Sequence, residues 1–153
     1  EAEERRYRRA LGEGKVAVFI GTFENKLDRK GRVSVPAPFR ASLAGLSFQG
    51  IVAFPSRRAP AVEACGMDLM QKLIEEQDQI NLLIDHSEGA AASIFYDLQQ
   101  LSFDGDGRIV LPADLREFAG LDGQATFVGV GKLFQIWDPA RLKEFRAQQA
   151  GGQ

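Results

Sequence analysis

The chain has 153 residues, of which 44% are hydrophobic and 26% are charged, and its formal net charge at pH 7 is −2. This composition is that of an ordinary globular protein, and no apolar run approaches the roughly 20 residues that a membrane-spanning helix needs. One cysteine and one histidine exclude an intrachain disulfide and the usual zinc sites, and the scarcity of thiols favours a cytoplasmic location.

The first predicted elements are an arm, a strand and a turn. Residues 1–17 carry many charges of both signs, and we expect them to form a mobile arm. The apolar run over residues 16–23 predicts a strand that leads into a charged turn at residues 28–32, here called the first turn. Gly31 supplies the positive φ that a tight turn needs, and Asp28 can accept hydrogen bonds from nearby backbone amides. Residues 33–35 predict a short second strand.

Proline and glycine mark the elements that follow. Pro36 predicts the start of a short helix over residues 37–44, and Gly45 is expected to end it in the left-handed conformation. Residues 50–54 predict another strand because they are apolar and short.

A longer helical region is predicted for the middle of the chain. Pro60 is placed to open this helix, since apolar residues recur after it at helical spacing (Val62, Cys65, Leu69, Met70, Leu73 and Ile74). The same period continues in a second helical segment over residues 80–95, which Gly89 weakens.

The second half of the chain repeats the order of the first. Its predicted elements are a strand at 97–103, a second turn at 104–108, a strand at 109–111, a helix at 113–119, and a hairpin of strands at 126–130 and 133–137. Gly120 is expected to end the short helix. Asp138 and Pro139 provide the N-cap and first residue of a last helix, with Leu142 and Phe145 on one face.

An internal repeat relates the two halves. Residues 27–40 and 103–116 align at a constant offset of 76 positions, with Asp, Gly, Arg, Pro, Ala and Arg identical. Two copies are too few for a solenoid, so the repeat indicates a duplicated small domain. We therefore predict one unit over residues 18–79 and a second over residues 80–146, followed by a short polar tail at 147–153.

The repeated segments carry a family resemblance. The run GTFENKLDRKGR from Gly21 to Arg32, together with the VSVP that follows it, resembles the opening of MraZ proteins. Asp104 and Arg108 match the family's second Asp-x-x-x-Arg motif. The resemblance covers about residues 18–145. It implies an α+β fold in which two swapped-hairpin AbrB-like β-units stand in tandem as a pseudo-two-fold repeat with interleaved helices.

The resemblance also implies a function. MraZ proteins are cytoplasmic, nucleoid-associated transcriptional regulators with no known cofactor. Their subunits form homo-oligomeric rings that bind repeated double-stranded DNA elements at the promoter of the division and cell-wall gene cluster. We expect the same partners here, with no membrane and no small-molecule substrate.

The distribution of charge predicts which turn contacts DNA. Four cations and one carboxylate give residues 26–32 a net charge of +3, whereas the second turn has a net charge of −1. Exposed cations bind phosphates, and arginine can pair with guanine. The first unit is therefore predicted to supply the main DNA surface, to which Arg40 next to the short strand is expected to add, and the second to maintain the fold and help close the ring. The candidate DNA-binding residues are Lys26, Arg29, Lys30, Arg32, Arg40 and Arg108.

The same turns also have a structural interpretation. Asp28 and Asp104 can orient their arginines and cap turn amides, while Gly31 and Gly107 allow the backbone conformation. For Arg108 either role fits. Three adjacent cations exceed what the stability of the first turn requires, and this favours DNA binding there. A ring that presents several copies of one basic turn would offset the negative net charge through avidity.

Two further classes of function compete with DNA binding. The sequence lacks phosphate-loop, zinc-protease and Ser-His-Asp patterns, so no enzyme and no metal site are predicted. Cys65 lies on an apolar stripe without a base nearby in sequence, which favours a core position. The alternative function is an AbrB-like protein-interaction or assembly module without direct DNA binding, which would use the helical residues 69–94. Charge reversal in the first turn distinguishes the two functions.

Overall fold

The computed structural model describes residues 16–84 and 97–151. Within these ranges the chain forms β1 (Thr22–Lys26), β2 (Arg32–Ser34), α1 (Ala37–Leu43), β3 (Gly50–Pro55), β4 (Val62–Cys65), α2 (Met67–Ile84), β5 (Gln99–Ser102), β6 (Arg108–Val110), α3 (Ala113–Ala119), β7 (Gln124–Gly129), β8 (Phe134–Trp137) and α4 (Pro139–Gly151). Most of the predicted arm and the predicted helical segment beyond residue 84 lie outside the described residues. No helix in the described part is long and apolar enough to cross a membrane.

Strands from the two halves of the chain interleave. Six antiparallel strands form a sheet in the order β1-β7-β8-β4-β3-β5, and β2 pairs with β6 in a separate two-stranded ribbon. β1 of the first half pairs with β7 of the second, while β5 of the second half pairs with β3 of the first. β4 and β8 meet in the middle of the sheet, with Glu63 opposite Gln135. This arrangement confirms the predicted α+β fold of swapped hairpins.

The main core lies between one face of the sheet and the elements that cover it, which include α1, α3 and the ribbon. Three phenylalanines from distant parts of the chain meet there. The ring centroid of Phe19 lies 5.3 Å from that of Phe39 and 4.9 Å from that of Phe134, in edge-to-face geometry. Each such pair contributes about 0.5–1.5 kcal/mol beyond the burial of its area.

The other face of the sheet is covered by the two longer helices. α2 packs Leu69 against Cys65, and α4 packs Leu142 against Trp137. The ring of Phe145 lies 4.9 Å from that of Trp137. These contacts confirm the predicted apolar face of the last helix and the predicted core position of Cys65. The predicted N-cap is also confirmed, because Asp138 accepts a hydrogen bond from the amide of Arg141 at 3.1 Å.

The two short helices end differently. Gly120 ends α3 in the left-handed conformation, with φ of +66° and its amide donated to carbonyls of the last turn, as predicted. The matching prediction for Gly45 was wrong, since Ala44 caps α1 in a right-handed conformation and Gly45 does not have a positive φ. There the side-chain amide Nε2 of Gln49 donates to the carbonyls of Leu43 and Leu46 at 3.1 Å and 2.6 Å. A side chain therefore satisfies one carbonyl at the end of the helix and one just beyond it.

The predicted helix after Pro60 was wrong at its start. Residues 62–65 form β4, whose four residues are all buried, and α2 begins only at Met67. β4 is a central strand covered on both faces, and even its Glu63 is buried, so it lacks the regular alternation of apolar and exposed polar residues that marks a half-buried strand. The helix itself extends to Ile84, and the predicted boundary between the units at residues 79 and 80 falls within it and stays a prediction.

The first strand also differs from its prediction. β1 begins at Thr22 rather than at residue 16, because Gly21 adopts a φ of +106° and interrupts the pairing. Before that point Phe19 makes an isolated antiparallel bridge with Gly131. The predicted hairpin of β7 and β8 is confirmed.

Candidate nucleic-acid interface

One carboxylate organises the first turn. Oδ1 of Asp28 accepts hydrogen bonds from the amides of Lys30 and Arg32 at 2.9 Å and 2.8 Å, and Oδ2 accepts from Nε of Arg32 at 2.7 Å. Gly31 has a φ of +89°, and its amide donates to the carbonyl of Asp28 at 3.1 Å. Asp28 therefore caps the turn and fixes the guanidinium of Arg32.

The second turn has the same geometry. Oδ1 of Asp104 accepts from the amides of Asp106 and Arg108, both at 2.9 Å, and Oδ2 accepts from Nε of Arg108 at 3.0 Å. Gly107 has a φ of +76°. The terminal nitrogen Nη2 of Arg108 also lies 3.5 Å from the carboxylate of Asp106. The second turn thus adds an acidic side chain where the first turn has Lys30.

These hydrogen bonds lower the pKa of both capping carboxylates. The hydrogen bond from the backbone amide of Arg32 is the largest cause for Asp28, and that from the amide of Arg108 is the largest cause for Asp104. The arginine side chains lower the pKa further, while partial desolvation opposes the shift. Both carboxylates are therefore ionised at neutral pH, which keeps both arginines oriented.

The lowered pKa values predict an acid-sensitive fold. A folded-state pKa below the ordinary value of 3.8 means that the contribution of Asp28 and Asp104 to stability is complete above that value and is lost as the pH falls through the lowered pKa. We expect the thermal unfolding midpoint, followed by circular dichroism, to drop as the pH falls below the ordinary carboxyl value of 3.8. The Asp28→Asn/Asp104→Asn variant should show a shallower drop in the unfolding midpoint, since the asparagines at these two positions do not titrate. Parallel pH profiles for both proteins would contradict this assignment.

The ribbon of β2 and β6 connects the two turns, which lie at its opposite ends. Its central pair, Val33 and Ile109, is buried in the main core. Side chains alternate between the two faces of a strand, so the other ribbon residues face away from that core. They form what we call the ribbon face (Arg32, Ser34, Arg108 and Val110).

An arginine from each short helix lies on the turn of the other half. Nε of Arg40 in α1 donates to the carbonyl of Val35 at 2.9 Å, and its side chain covers Gly107 of the second turn, where an added Cβ would lie 2.7 Å from Nη1. Arg116 in α3 approaches the first turn, with Nη1 3.5 Å from the carbonyl oxygen of Arg29. Each half of the chain therefore contributes an arginine that contacts the turn of the other half.

These contacts change which arginines belong to the surface around each turn. Arg40, which is expected from sequence to add to the first DNA surface, lies beside the second turn. Arg116, which is not among the predicted DNA-binding residues, lies beside the first. The signal for Arg116 was present in the repeat, because it matches Arg40 at the same offset of 76 positions.

The contrast in charge between the turns persists in space. The side chains of Arg29 and Lys30 are exposed, as is that of Lys26 just before the turn. Together with Arg32 in the turn and Arg116 from α3, they place five cations around the first turn, where Asp28 is the carboxylate of the turn. The second turn combines Arg40 and Arg108 with two carboxylates. The structure thus concentrates positive charge at one end of the ribbon.

Metal binding and thiol chemistry have less support than DNA binding. Among residues 16–84 and 97–151, no three His, Cys, Asp or Glu side chains are grouped as metal ligands. Burial, with a smaller contribution from Asp68, raises the pKa of the Cys65 thiol to about 12, so this sulfur stays protonated in the core.

Comparison with known proteins identifies similar chains. The sequence model of the MraZ protein family, described as antitoxin-like, matches residues 94–151. A Rickettsia bellii protein named "Transcriptional regulator MraZ" is 42% identical over 131 residues, which are 85% of this chain and 87% of the relative. Proteins of the same name from Rhodospirillum rubrum and Pelagibacter ubique are 44% and 40% identical over 135 and 129 residues, which are 86% and 84% of this chain and 86% and 83% of the relatives. Matches of that length within 153 residues must include both turns.

Proposed function

The chain belongs to the MraZ family, and we propose that it regulates transcription by binding double-stranded DNA through its first turn and ribbon face. The observation that carries this proposal is the exposure of Arg29 and Lys30. The turn uses only their backbone groups, since the amide of Lys30 donates to Asp28 and the carbonyl of Arg29 accepts from Arg116. Their charged side chains are therefore available to a polyanion. The names of the relatives, which are transcriptional regulators, support the same conclusion.

The ribbon suits the DNA major groove, which admits a two-stranded β-ribbon. In this arrangement Lys26, Arg29 and Lys30 contact phosphates and set the register of the protein on the duplex. Asp28 holds Nε of Arg32, so the guanidinium is oriented while its terminal nitrogens can still donate to a base edge. The phosphate contacts thus supply affinity that does not depend on the DNA sequence, and Arg32 recognises the base.

The second turn has a supporting role in this proposal. Arg108 is engaged by both Asp104 and Asp106, and Arg40 is engaged by a backbone carbonyl and packs on Gly107. Both arginines can add contacts at the far end of the ribbon face. Their main role is to keep the second half folded, together with the capping residues of both turns (Asp28, Gly31, Asp104 and Gly107).

We further propose that the protein is cytoplasmic and nucleoid-associated, and that identical subunits form a ring. The ring would bind repeated elements at the promoter of the division and cell-wall gene cluster. Exposed apolar side chains near the bridge between Phe19 and Gly131 support association, because Val18, Ile20 and Val130 are exposed and Ile20 is 77% accessible. Native mass spectrometry at micromolar concentration should give a mass much larger than a monomer. A monomeric mass would remove the ring from the proposal.

The test of DNA binding is a titration of fluorescent promoter DNA at several salt concentrations. If two subunits each place three cations on phosphates, the affinity should fall by about 10³ between roughly 50 and 200 mM salt. An affinity that hardly depends on salt, or no binding, would contradict DNA regulation. That outcome would favour the alternative of a protein-interaction module, which the antitoxin-like description of the family model would suit.

A further inference from the structure

The ribbon face breaks the two-fold symmetry of the repeat at one pair of positions. Arg32 and Arg108 are matched by the repeat and are the same residue type, whereas Ser34 and Val110 are matched and differ. Antiparallel pairing sets Arg32 opposite Val110 and Ser34 opposite Arg108. Each arginine thus has a different neighbour across the strand, one apolar and one polar.

The exposure of Val110 has no evident role in folding. Its neighbours Ile109 and Leu111 are buried, whereas Val110 is 53% exposed. The matched position in the other strand is a serine, so the ribbon folds with a polar side chain at this site. A single exposed valine is common on protein surfaces. Here, however, it lies on the surface proposed to face DNA and beside an arginine oriented by Asp28.

We infer that Val110 is a specificity-determining residue that contacts the 5-methyl group of a thymine beside the base pair reached by Arg32. This inference rests on the proposed function. The thymine methyl is the apolar group that the major groove displays, and aliphatic side chains recognise it by contact. Residues directly opposite in an antiparallel pair have Cβ atoms roughly 4.5–5.5 Å apart, so both can reach adjacent bases.

The same geometry makes recognition asymmetric. At the other end of the ribbon Ser34 accompanies Arg108, and a serine hydroxyl can hydrogen-bond to several base edges without selecting a methyl group. The two ends of one ribbon therefore read different base pairs, and the preferred half-site is not a palindrome.

The experiment compares promoter DNA with the same DNA in which every thymine is replaced by uracil, so that only the 5-methyl groups are removed. The readout is the ratio of the two dissociation constants, measured by fluorescence anisotropy for each protein. We expect the wild type to bind uracil DNA about threefold or more weakly for each contacting subunit, which is the effect of one apolar carbon losing its contact. Val110→Ser should bring the ratio close to one.

A matched control makes the same kind of change elsewhere. Ile74 on α2 is also an exposed aliphatic residue, so Ile74→Ser should keep the wild-type ratio. A wild-type ratio of one, or an unchanged ratio in Val110→Ser, would overturn the inference. In either case a steep salt dependence of wild-type binding would leave the proposed function standing. If the wild type binds neither DNA, the proposed function and the inference both fail.

Discussion

Replacing Arg29 and Lys30 together by glutamate should weaken binding to promoter DNA by at least about 100-fold at roughly 100 mM salt. The change removes two phosphate contacts per subunit and puts two negative charges at the same places. It leaves the turn intact, because Asp28 and Arg116 engage only backbone atoms of these residues. Fluorescence anisotropy with labelled promoter DNA measures the effect, and circular dichroism should show an unchanged fold.

The control for this variant has the same change in net charge at another surface. Lys143 and Arg146 are exposed on α4, which covers the face of the sheet opposite to the ribbon. Lys143→Glu/Arg146→Glu should bind promoter DNA within about threefold of the wild type, since distant exposed charges are screened. Equal losses in both variants would mean that binding responds only to total charge. If neither variant loses affinity, the first turn does not contact DNA.

Gly31→Ala should lower the free energy of unfolding by about 3 kcal/mol or more, and Gly107→Ala by about 1–2 kcal/mol. Both glycines have positive φ, so both substitutions strain the backbone. They differ in what a new Cβ would meet. At Gly31 it would lie 2.5 Å from the carbonyl oxygen of Leu111, a main-chain atom. At Gly107 it would meet the flexible side chain of Arg40, which can move away.

Urea denaturation at a fixed protein concentration measures both changes, since an oligomer's stability depends on concentration. The amide of Leu111 also donates to the carbonyl of Gly31 at 2.8 Å, so a shift of the backbone there weakens a contact between the two halves. A larger loss in Gly107→Ala than in Gly31→Ala would show that the close approach at the first turn is not rigid.

Much of the fold was predictable because the same local chemistry occurs twice. Each turn has an aspartate that accepts amides and a glycine with positive φ, and each short helix follows a proline. β4 escaped prediction because its side chains are buried on both faces, so no alternation marks a strand. α1 is capped by Ala44 in a right-handed conformation, with the side chain of Gln49 on nearby carbonyls, and a rule based on glycine does not include this kind of ending.

The candidate site was predictable only in part. The capping pattern of the turns and their difference in charge follow from consecutive residues. The placement of Arg40 and Arg116 depends on the pairing of β2 with β6, which joins residues about 76 positions apart in sequence. Consecutive residues therefore did not show that Arg40 lies beside the second turn and Arg116 beside the first.

The exchange of strands between the two halves affects how the sequences of the two repeats can diverge. Half of this chain alone would leave β1 or β5 without its partner from the other half, or would need a second copy of itself to complete the sheet. The chain is thus equivalent to a dimer whose two members are covalently joined. In a dimer of identical halves every substitution occurs twice, at both ends of the ribbon. Joining the halves frees each end to change alone, which is how one fold can carry a basic turn and an acidic one.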